Sequence, residues 1–173
     1  MSFVHAGVLS LDTDVFTRQR CRGDLFVQYG KGLSYFRMTA PELIQDYIDK
    51  LEPDSVLWVE IDPSVALPPH RDRGTVTSLN LYISPNGATT SFWKPKAGEE
   101  PGYWPQEERP TLKDHWRPEQ LDFVESFVAE PGDAYWLDVT NIHTVHGTKG
   151  PLPRTFIQLC WNTKPYDQLA CVF

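Results

Sequence analysis

The sequence is poor in several features that would assign it to particular classes of protein. Its 173 residues include only three cysteines, at no metal-binding spacing, so Cys21, Cys160 and Cys171 are expected to be free thiols in a reducing cytoplasm. Lys and Arg number 16 against 23 Asp and Glu, and the net charge of −7 disfavours a nucleic-acid or anionic-membrane surface. The sequence also contains no glycine-rich phosphate loop, no serine-nucleophile motif and no CxxC pair.

Targeting and membrane-spanning patterns are missing as well. The first residues, MSFVHAGVLSLDTDVF, lack a basic start and reach Asp12 and Asp14 too early for a secretory signal. No apolar run approaches the roughly 20 residues of a membrane-spanning helix. We therefore expect a cytoplasmic protein, and the length predicts one domain over residues 1–173.

Turn-forming residues and short alternating segments are abundant, with fifteen prolines and eleven glycines. Pro-Asn-Gly at 85–87 and Pro-Gly-Asp at 131–133 are strong turn signals, which favour an antiparallel sandwich or barrel over a parallel sheet. Hydrophobic alternation with a period of two predicts six strands: Val56–Asp62, Thr77–Ser84, Thr89–Lys94, Leu121–Glu130, Ala134–Thr140 and Arg154–Asn162.

The N-terminal part of the chain predicts short strands and turns over residues 1–37 and then one helix over residues 40–52. Thr39 and Glu42 have the spacing of a capping box, and Pro53 prevents the helix from continuing. The segment carries a single apolar stripe, so we expect this helix to pack on the outside of a sheet. The stripe consists of Leu43, Ile44, Tyr47, Ile48 and Leu51.

Residues 94–120 contain five prolines and little periodicity, so they are interpreted as a long inserted loop. Two alternatives fit this segment. It is either a functional lid, anchored on the body by Tyr103, Trp104 and Trp116, or a flexible acidic excursion.

The most informative segment is Pro-Pro-His-Arg-Asp at 68–72. On an extended chain His70 and Asp72 project to the same face, so both can reach one metal ion. A third ligand is expected from His143 or His146. Two histidines and one carboxylate leave three coordination positions open, as in non-haem iron(II) oxygenases. Taken alone, the same HxD also fits a surface turn with an incidental histidine and aspartate.

The order of these motifs along the chain adds information. HxD follows one strand and precedes another, a distant histidine follows a PGD turn and a strand, and Arg154 opens the next strand. This ordered set resembles the 2-oxoglutarate- and iron(II)-dependent oxygenases, in particular small prolyl- and aspartyl/asparaginyl-hydroxylase-like members. The resemblance covers roughly residues 56–162. It implies a mainly β fold, a double-stranded β-helix supported by the N-terminal helix.

The resemblance also implies a cofactor, a cosubstrate and a reaction. Fe(II) and 2-oxoglutarate would be bound, and dioxygen would be used to hydroxylate an unactivated C–H bond. The sequence leaves open whether that bond belongs to an amino acid, a peptide or a small molecule, and it does not predict an oligomeric state.

Specific residues take roles through this resemblance. The family has an arginine about ten residues after the distal histidine, where it binds the far carboxylate of 2-oxoglutarate. Arg154 lies eleven residues after His143 and eight after His146, so His143 is expected to be the ligand, with His146 as the alternative. Phe156 stands where the family often has a hydroxyl residue.

Strand 77–84 carries a second pair of candidate cosubstrate residues. Asn80 and Tyr82 alternate with apolar neighbours and therefore face the opposite side of the strand, where related enzymes contact 2-oxoglutarate. A solvent-facing strand explains the same alternation. Trp93 is expected either to wall the pocket or to lie in the core, and Asp138 is a candidate for orienting a ligand histidine.

Two other functions fit part of the pattern. A cupin-type dioxygenase or isomerase would use a similar barrel, but such enzymes usually have more histidines around the first strand. This alternative also assigns no function to Arg154. A non-catalytic jelly-roll binding module would leave the HxD without a role. A metal-binding measurement separates the second alternative from an enzyme.

Overall fold

The computed structural model describes residues 1–8, 16, 21–29, 32–38, 42–65, 67–109, 111–147 and 150–170. The described helices are α1 (Glu42–Leu51) and α2 (Tyr166–Leu169), and a 3-10 turn spans Pro118–Gln120. The described strands are β1 (Phe3–Val8), β2 (Arg22–Tyr29), β3 (Leu33–Met38), β4 (Ser55–Ile61), β5 (Leu67–His70), β6 (Thr77–Ser84), β7 (Thr89–Pro95), β8 (Gly102–Tyr103), β9 (Asp114–His115), β10 (Leu121–Val128), β11 (Asp133–Asp138), β12 (Ile142–His146) and β13 (Arg154–Trp161).

Two antiparallel sheets form the body of the molecule. The larger has seven strands in the order β1-β11-β6-β13-β4-β3-β2, and the smaller has four in the order β10-β7-β12-β5. The inner faces of the two sheets enclose an interior built around Val59, Phe92, Phe127 and Phe156. The predicted mainly β, double-stranded β-helix fold is confirmed.

The outer face of the large sheet is covered by α1, as the apolar stripe predicted. Ile44 and Leu51 of this helix are buried against tryptophans of the sheet, and the indole N–H of Trp161 donates to the Leu51 carbonyl at 3.1 Å. The predicted helix agrees with α1 to within two residues at each end. Thr39, the predicted cap, lies outside the described residues.

All six predicted strands are present, with ends that differ by at most two residues from the prediction. Four further strands of the described chain were not predicted. The short strands β8 and β9 lie in the insertion, and β5 and β12 carry the candidate site histidines. No helix in the described ranges is long and apolar enough to cross a membrane.

The insertion between β7 and β10 folds back onto the HxD segment. Residues 111–116, here called the strap, run beside residues 69–73 and exchange backbone hydrogen bonds with them. Arg73 N donates to Thr111 O at 2.7 Å, Lys113 N to Arg71 O at 2.9 Å, and Trp116 N to Pro69 O at 2.9 Å. The strap therefore runs alongside the HxD segment in the manner of an additional strand.

The three aromatic residues predicted as anchors of this insertion differ in burial. Trp116 is buried, whereas Trp104 is half-buried and packs on the ring of His115. Tyr103 is exposed. One of the three predicted anchors therefore holds the insertion as a core residue.

Candidate metal and cosubstrate site

Three side chains converge at the mouth of the β-helix. His70 ends β5, Asp72 follows it, and β12 pairs with β5 so that His143 lies opposite His70. Asp72 Oδ1 is 3.6 Å from Nε2 of His70 and 3.7 Å from Nε2 of His143. The three donor atoms lie within 4.8 Å of one another. This set of two imidazoles and one carboxylate can hold a divalent transition metal.

Backbone carbonyls orient both histidines. His70 Nδ1 lies 2.8 Å from the Pro68 carbonyl oxygen, and His143 Nδ1 lies 3.0 Å from that of Asn141. A carbonyl only accepts, so each Nδ1 carries the hydrogen and donates it. Each Nε2 is thereby left with a lone pair for a metal ion beside Asp72.

Burial governs the protonation of the cluster. Burial, with a contribution from nearby His143, lowers the pKa of His70 to about 3. Burial also raises the pKa of Asp72 above its usual value, although His143 partly opposes that effect. His70 is therefore neutral and ready to bind a metal at pH 7, and a bound cation would offset the cost of burying the Asp72 carboxylate.

Other candidates near the cluster have different partners. His146 lies on the other face of β12, where its Nε2 is 3.0 Å from Ser91 Oγ, so the structure places His143 beside His70 and Asp72 and not His146. Asp138 accepts hydrogen bonds from the backbone and hydroxyl of Thr140 and contributes none to a histidine of the cluster.

Trp93 does not line the pocket described next. It packs, half-buried, against the cluster formed by Trp116, Leu121 and Ile142. It therefore packs beside a small hydrophobic cluster and does not wall this pocket.

A pocket with both polar and apolar walls extends from the histidines into the interior of the β-helix. Arg154 from β13 and Asn80 and Tyr82 from β6 line it together with the three cluster residues. Arg154 is 1% exposed, and its Cζ lies 4.9 Å from the centre of the Tyr82 ring. The structure thus brings all the sequence-predicted cosubstrate residues into one pocket with His70, Asp72 and His143.

Several polar atoms of this pocket are buried without a hydrogen-bond partner in the described chain. They are Nε and Nη1 of Arg154, the hydroxyl of Tyr82 and Oδ1 of Asn80. A buried guanidinium that lacks a carboxylate partner is costly, so such groups point to a missing ligand. The planar fork of arginine matches a carboxylate.

Thr90 is a pocket residue that the sequence analysis missed. Its Oγ1 accepts a hydrogen bond of 2.9 Å from Arg154 Nη2. It therefore supplies a hydroxyl to the arginine from β7, on the neighbouring sheet, whereas Phe156 stands at the position two residues after the arginine. Thr90 lies in a run of three hydroxyl residues, and nothing in that run marks which one faces inward.

Asp114 of the strap is a second residue that was missed. It is fully buried, and its Oδ1 accepts the backbone N–H of Arg71 at 3.0 Å. Its Oδ2 accepts the Nε–H of Arg71 at 2.6 Å and also pairs with Nη2. Arg71 stands between His70 and Asp72, so Asp114 fixes the backbone that carries both candidate ligands.

The sequence matches no known family model and no curated protein. Similar solved structures share its fold. SnoN, a non-haem α-ketoglutarate-dependent epimerase, is 14% identical with a TM-score of 0.56, over 92% of this chain and 78% of SnoN. HygX from Streptomyces hygroscopicus, with nickel and 2-oxoglutarate bound, is 11% identical with a TM-score of 0.56, over 95% of this chain and 85% of HygX. E. coli ycfD is 11% identical with a TM-score of 0.52, over 94% of this chain and 50% of ycfD.

Proposed function

We propose that this protein is a 2-oxoglutarate- and iron(II)-dependent oxygenase that hydroxylates an unactivated C–H bond. The observation that carries the proposal is the buried Arg154, whose unpaired N–H groups lie in the same pocket as the His70, Asp72 and His143 cluster. A metal site and a carboxylate receptor in one pocket fit a cosubstrate that is both a metal chelator and a dicarboxylate.

The donor set fits iron(II), because two imidazoles and one carboxylate are ligands that this ion accepts, and three donors would leave positions for cosubstrate and dioxygen. His70, Asp72 and His143 would hold the metal. Bound iron, 2-oxoglutarate and dioxygen together supply the oxidising power, and the protein supplies positioning.

The pocket residues would position 2-oxoglutarate. Arg154 would pair with its far carboxylate, while Thr90 accepts one hydrogen bond from Nη2, which carries a second hydrogen, and Nε and Nη1 have no partner among the described residues. The Tyr82 hydroxyl would donate to the same carboxylate. Apolar side chains, among them Leu137 and Val139, line the same pocket and would limit the access of water.

The structural neighbours support the cofactor assignment through what they bind. HygX holds nickel and 2-oxoglutarate, and SnoN was crystallised with Fe³⁺, α-ketoglutarate and nogalamycin RO. SnoN is an epimerase, so this fold accommodates an outcome other than hydroxylation. The substrate proposed here is an amino acid, a peptide or a small molecule.

Anaerobic titration with iron(II) and 2-oxoglutarate tests this function. The bidentate complex should give a metal-to-ligand charge-transfer absorption. Arg154→Ala should raise the dissociation constant of 2-oxoglutarate at least tenfold, because loss of a buried charge-assisted partner costs about 2–5 kcal/mol. Iron affinity should change little, since Arg154 is not among the cluster donors.

Two histidine variants complete this test. His143→Ala should lose iron and 2-oxoglutarate together, whereas His146→Ala, on the other face of β12, should retain both. An Arg154→Ala protein that binds 2-oxoglutarate as tightly as the parent would contradict the proposal.

A further inference from the structure

A second pocket borders the three candidate metal ligands. Asp72 lines both this pocket and the cosubstrate pocket, and the remaining walls come from the segment after HxD, the strap and two exposed residues, Thr140 and Asn162. Any molecule bound there would therefore lie against one of the candidate metal ligands. A substrate whose C–H bond reacts at the metal must also lie close to these ligands.

The walls of this second pocket are cationic. Arg71, Arg73 and Lys113 line it, with Asp72 as its only acidic member among the described residues. Asp114 already pairs with Arg71. This local excess of positive charge stands out in a protein of net charge −7.

Two of these cations have no acidic partner. Arg73 donates from Nη2 to the Trp104 carbonyl at 2.9 Å and from Nε to the Leu112 carbonyl at 3.4 Å, so its charge is held in place but not neutralised. Lys113 is exposed on the strap. Over the described ranges, neither side chain has a carboxylate within ion-pair distance.

Most other side chains of the lining are polar, and Val76 is the single apolar one among the described lining residues. The side-chain amide of Asn162 offers N–H donors, whereas the hydroxyls of Thr75 and Thr140 already hydrogen-bond Cys160 and Asp138. A cationic substrate would be repelled here, whereas a carboxylate or phosphate would meet two unneutralised cations and the amide of Asn162.

We propose that this second pocket is the substrate subsite and that it binds an anionic group, a carboxylate or a phosphate, next to the metal. The inference rests on the proposed function for the role of the metal. It names the class of substrate: a polar molecule with an acidic group close to the C–H bond that reacts.

Titration of the metal-free, ¹⁵N-labelled protein with inorganic phosphate and with acetate tests the subsite without iron or 2-oxoglutarate. At low salt we expect saturable amide shifts centred on Gly74, Thr75 and Lys113. The probe that binds more tightly identifies the acidic group. Ethylammonium, a cationic probe, should produce no saturable shift at these positions.

A pair of charge-reversal variants separates a local site from the overall charge. Lys113→Glu should raise the dissociation constant of the better probe at least fivefold. Lys50→Glu makes the same change of charge on exposed α1, away from the lining, and should change that constant by less than twofold. Equal weakening by the two variants would overturn the proposal.

The distance between the bound anion and the metal ion is tested with manganese(II) in the metal site. If the two pockets share Asp72 as the structure shows, bound phosphate should show strong ³¹P paramagnetic relaxation. Lys113→Glu should reduce this relaxation in proportion to its weaker phosphate binding, at unchanged manganese affinity. Amide shifts centred on Tyr82 and Arg154 would mean that the anion enters the cosubstrate pocket, which would refute a separate subsite, as would the absence of any saturable shift. Failure to bind manganese would count against the proposed function alone, because the amide titration needs no metal.

Discussion

The two faces of the large sheet have opposite character, although the same strands supply both. On the outer face, Trp58, Trp136 and Trp161 pack under α1, and the Trp161 indole donates to a helix carbonyl. On the inner face near the cluster, Tyr82 and Arg154 are equally buried but keep polar atoms without partners. Helix packing, and with it part of the stability, is assigned to one face and the candidate ligand pocket to the other, so residue parity along a strand separates the two roles.

The largest change in the free energy of unfolding should come from a substitution on the outer face. Trp161→Ala removes a fully buried side chain and its hydrogen bond to α1, and should lower the free energy of unfolding by about 3–5 kcal/mol. Urea unfolding measures this change. Metal affinity of the folded protein should be unchanged, because Trp161 faces away from the site. A loss below about 1 kcal/mol would contradict the assignment of stability to this face.

The pH dependence of stability should reveal His70 on the inner face. Its pKa is about 3 in the folded protein and near 6.5 when unfolded, so the unfolded chain binds the extra proton between these values. Stability due to neutral His70 is complete above pH 6.5 and is lost as the pH falls towards 3, by at most about 1.4 kcal/mol per pH unit.

Urea unfolding of the metal-free protein at several pH values, compared with His70→Gln, measures this slope. The raised pKa of Asp72 acts in the opposite direction, since the folded protein then holds a proton that the unfolded chain has released. The difference between parent and His70→Gln therefore isolates the histidine. Identical slopes for the two proteins would show that His70 is not buried in its neutral form.

The strap should affect metal binding although it contributes no ligand to the candidate metal site. Asp114→Asn removes the charge that pairs with Arg71, between His70 and Asp72, and should weaken metal binding about 10- to 100-fold, as for other residues that orient ligands. Isothermal titration with manganese(II) measures this. Asp122→Asn, an exposed change of the same kind on β10, is the control and should leave the affinity unchanged.

The smallest expected change in stability comes from a variant that separates stability from ligand binding. Arg154→Met replaces an incompletely paired buried cation by an apolar side chain of similar length, and should stabilise the ligand-free protein by about 1 kcal/mol. The same variant should lose 2-oxoglutarate binding. Thermal unfolding with and without 2-oxoglutarate tests both effects. If Arg154→Met destabilised the ligand-free protein by several kcal/mol, Arg154 would be structural.

Local patterns made much of the fold predictable. The period of two identified six strands of the β-helix, and the capping and stripe signals located α1. Strand β5 was not predicted because its sequence, Leu-Pro-Pro-His, lacks backbone N–H groups at two positions. The structure accommodates these prolines because β5 lies at the edge of the small sheet.

The site was predictable where it depends on spacing and not where it depends on distant contacts. Position along the chain distinguished His143 from His146, and alternation placed Asn80 and Tyr82 on one face. The contact of Thr90 with Arg154 joins residues 64 apart, and the pairing of Arg71 with Asp114 joins residues 43 apart. Both depend on how the sheets and the insertion pack, which no local pattern encodes.

The backbone hydrogen bonds of the two cluster histidines affect how the site tolerates mutation. His70 and His143 each donate to the carbonyl of the residue two positions earlier, Pro68 and Asn141. A side-chain acceptor can be lost by one substitution, but every amino acid provides a carbonyl. The ring orientation therefore survives sequence drift at both acceptor positions, and each tripeptide is a self-orienting unit that could be grafted onto paired strands of another scaffold.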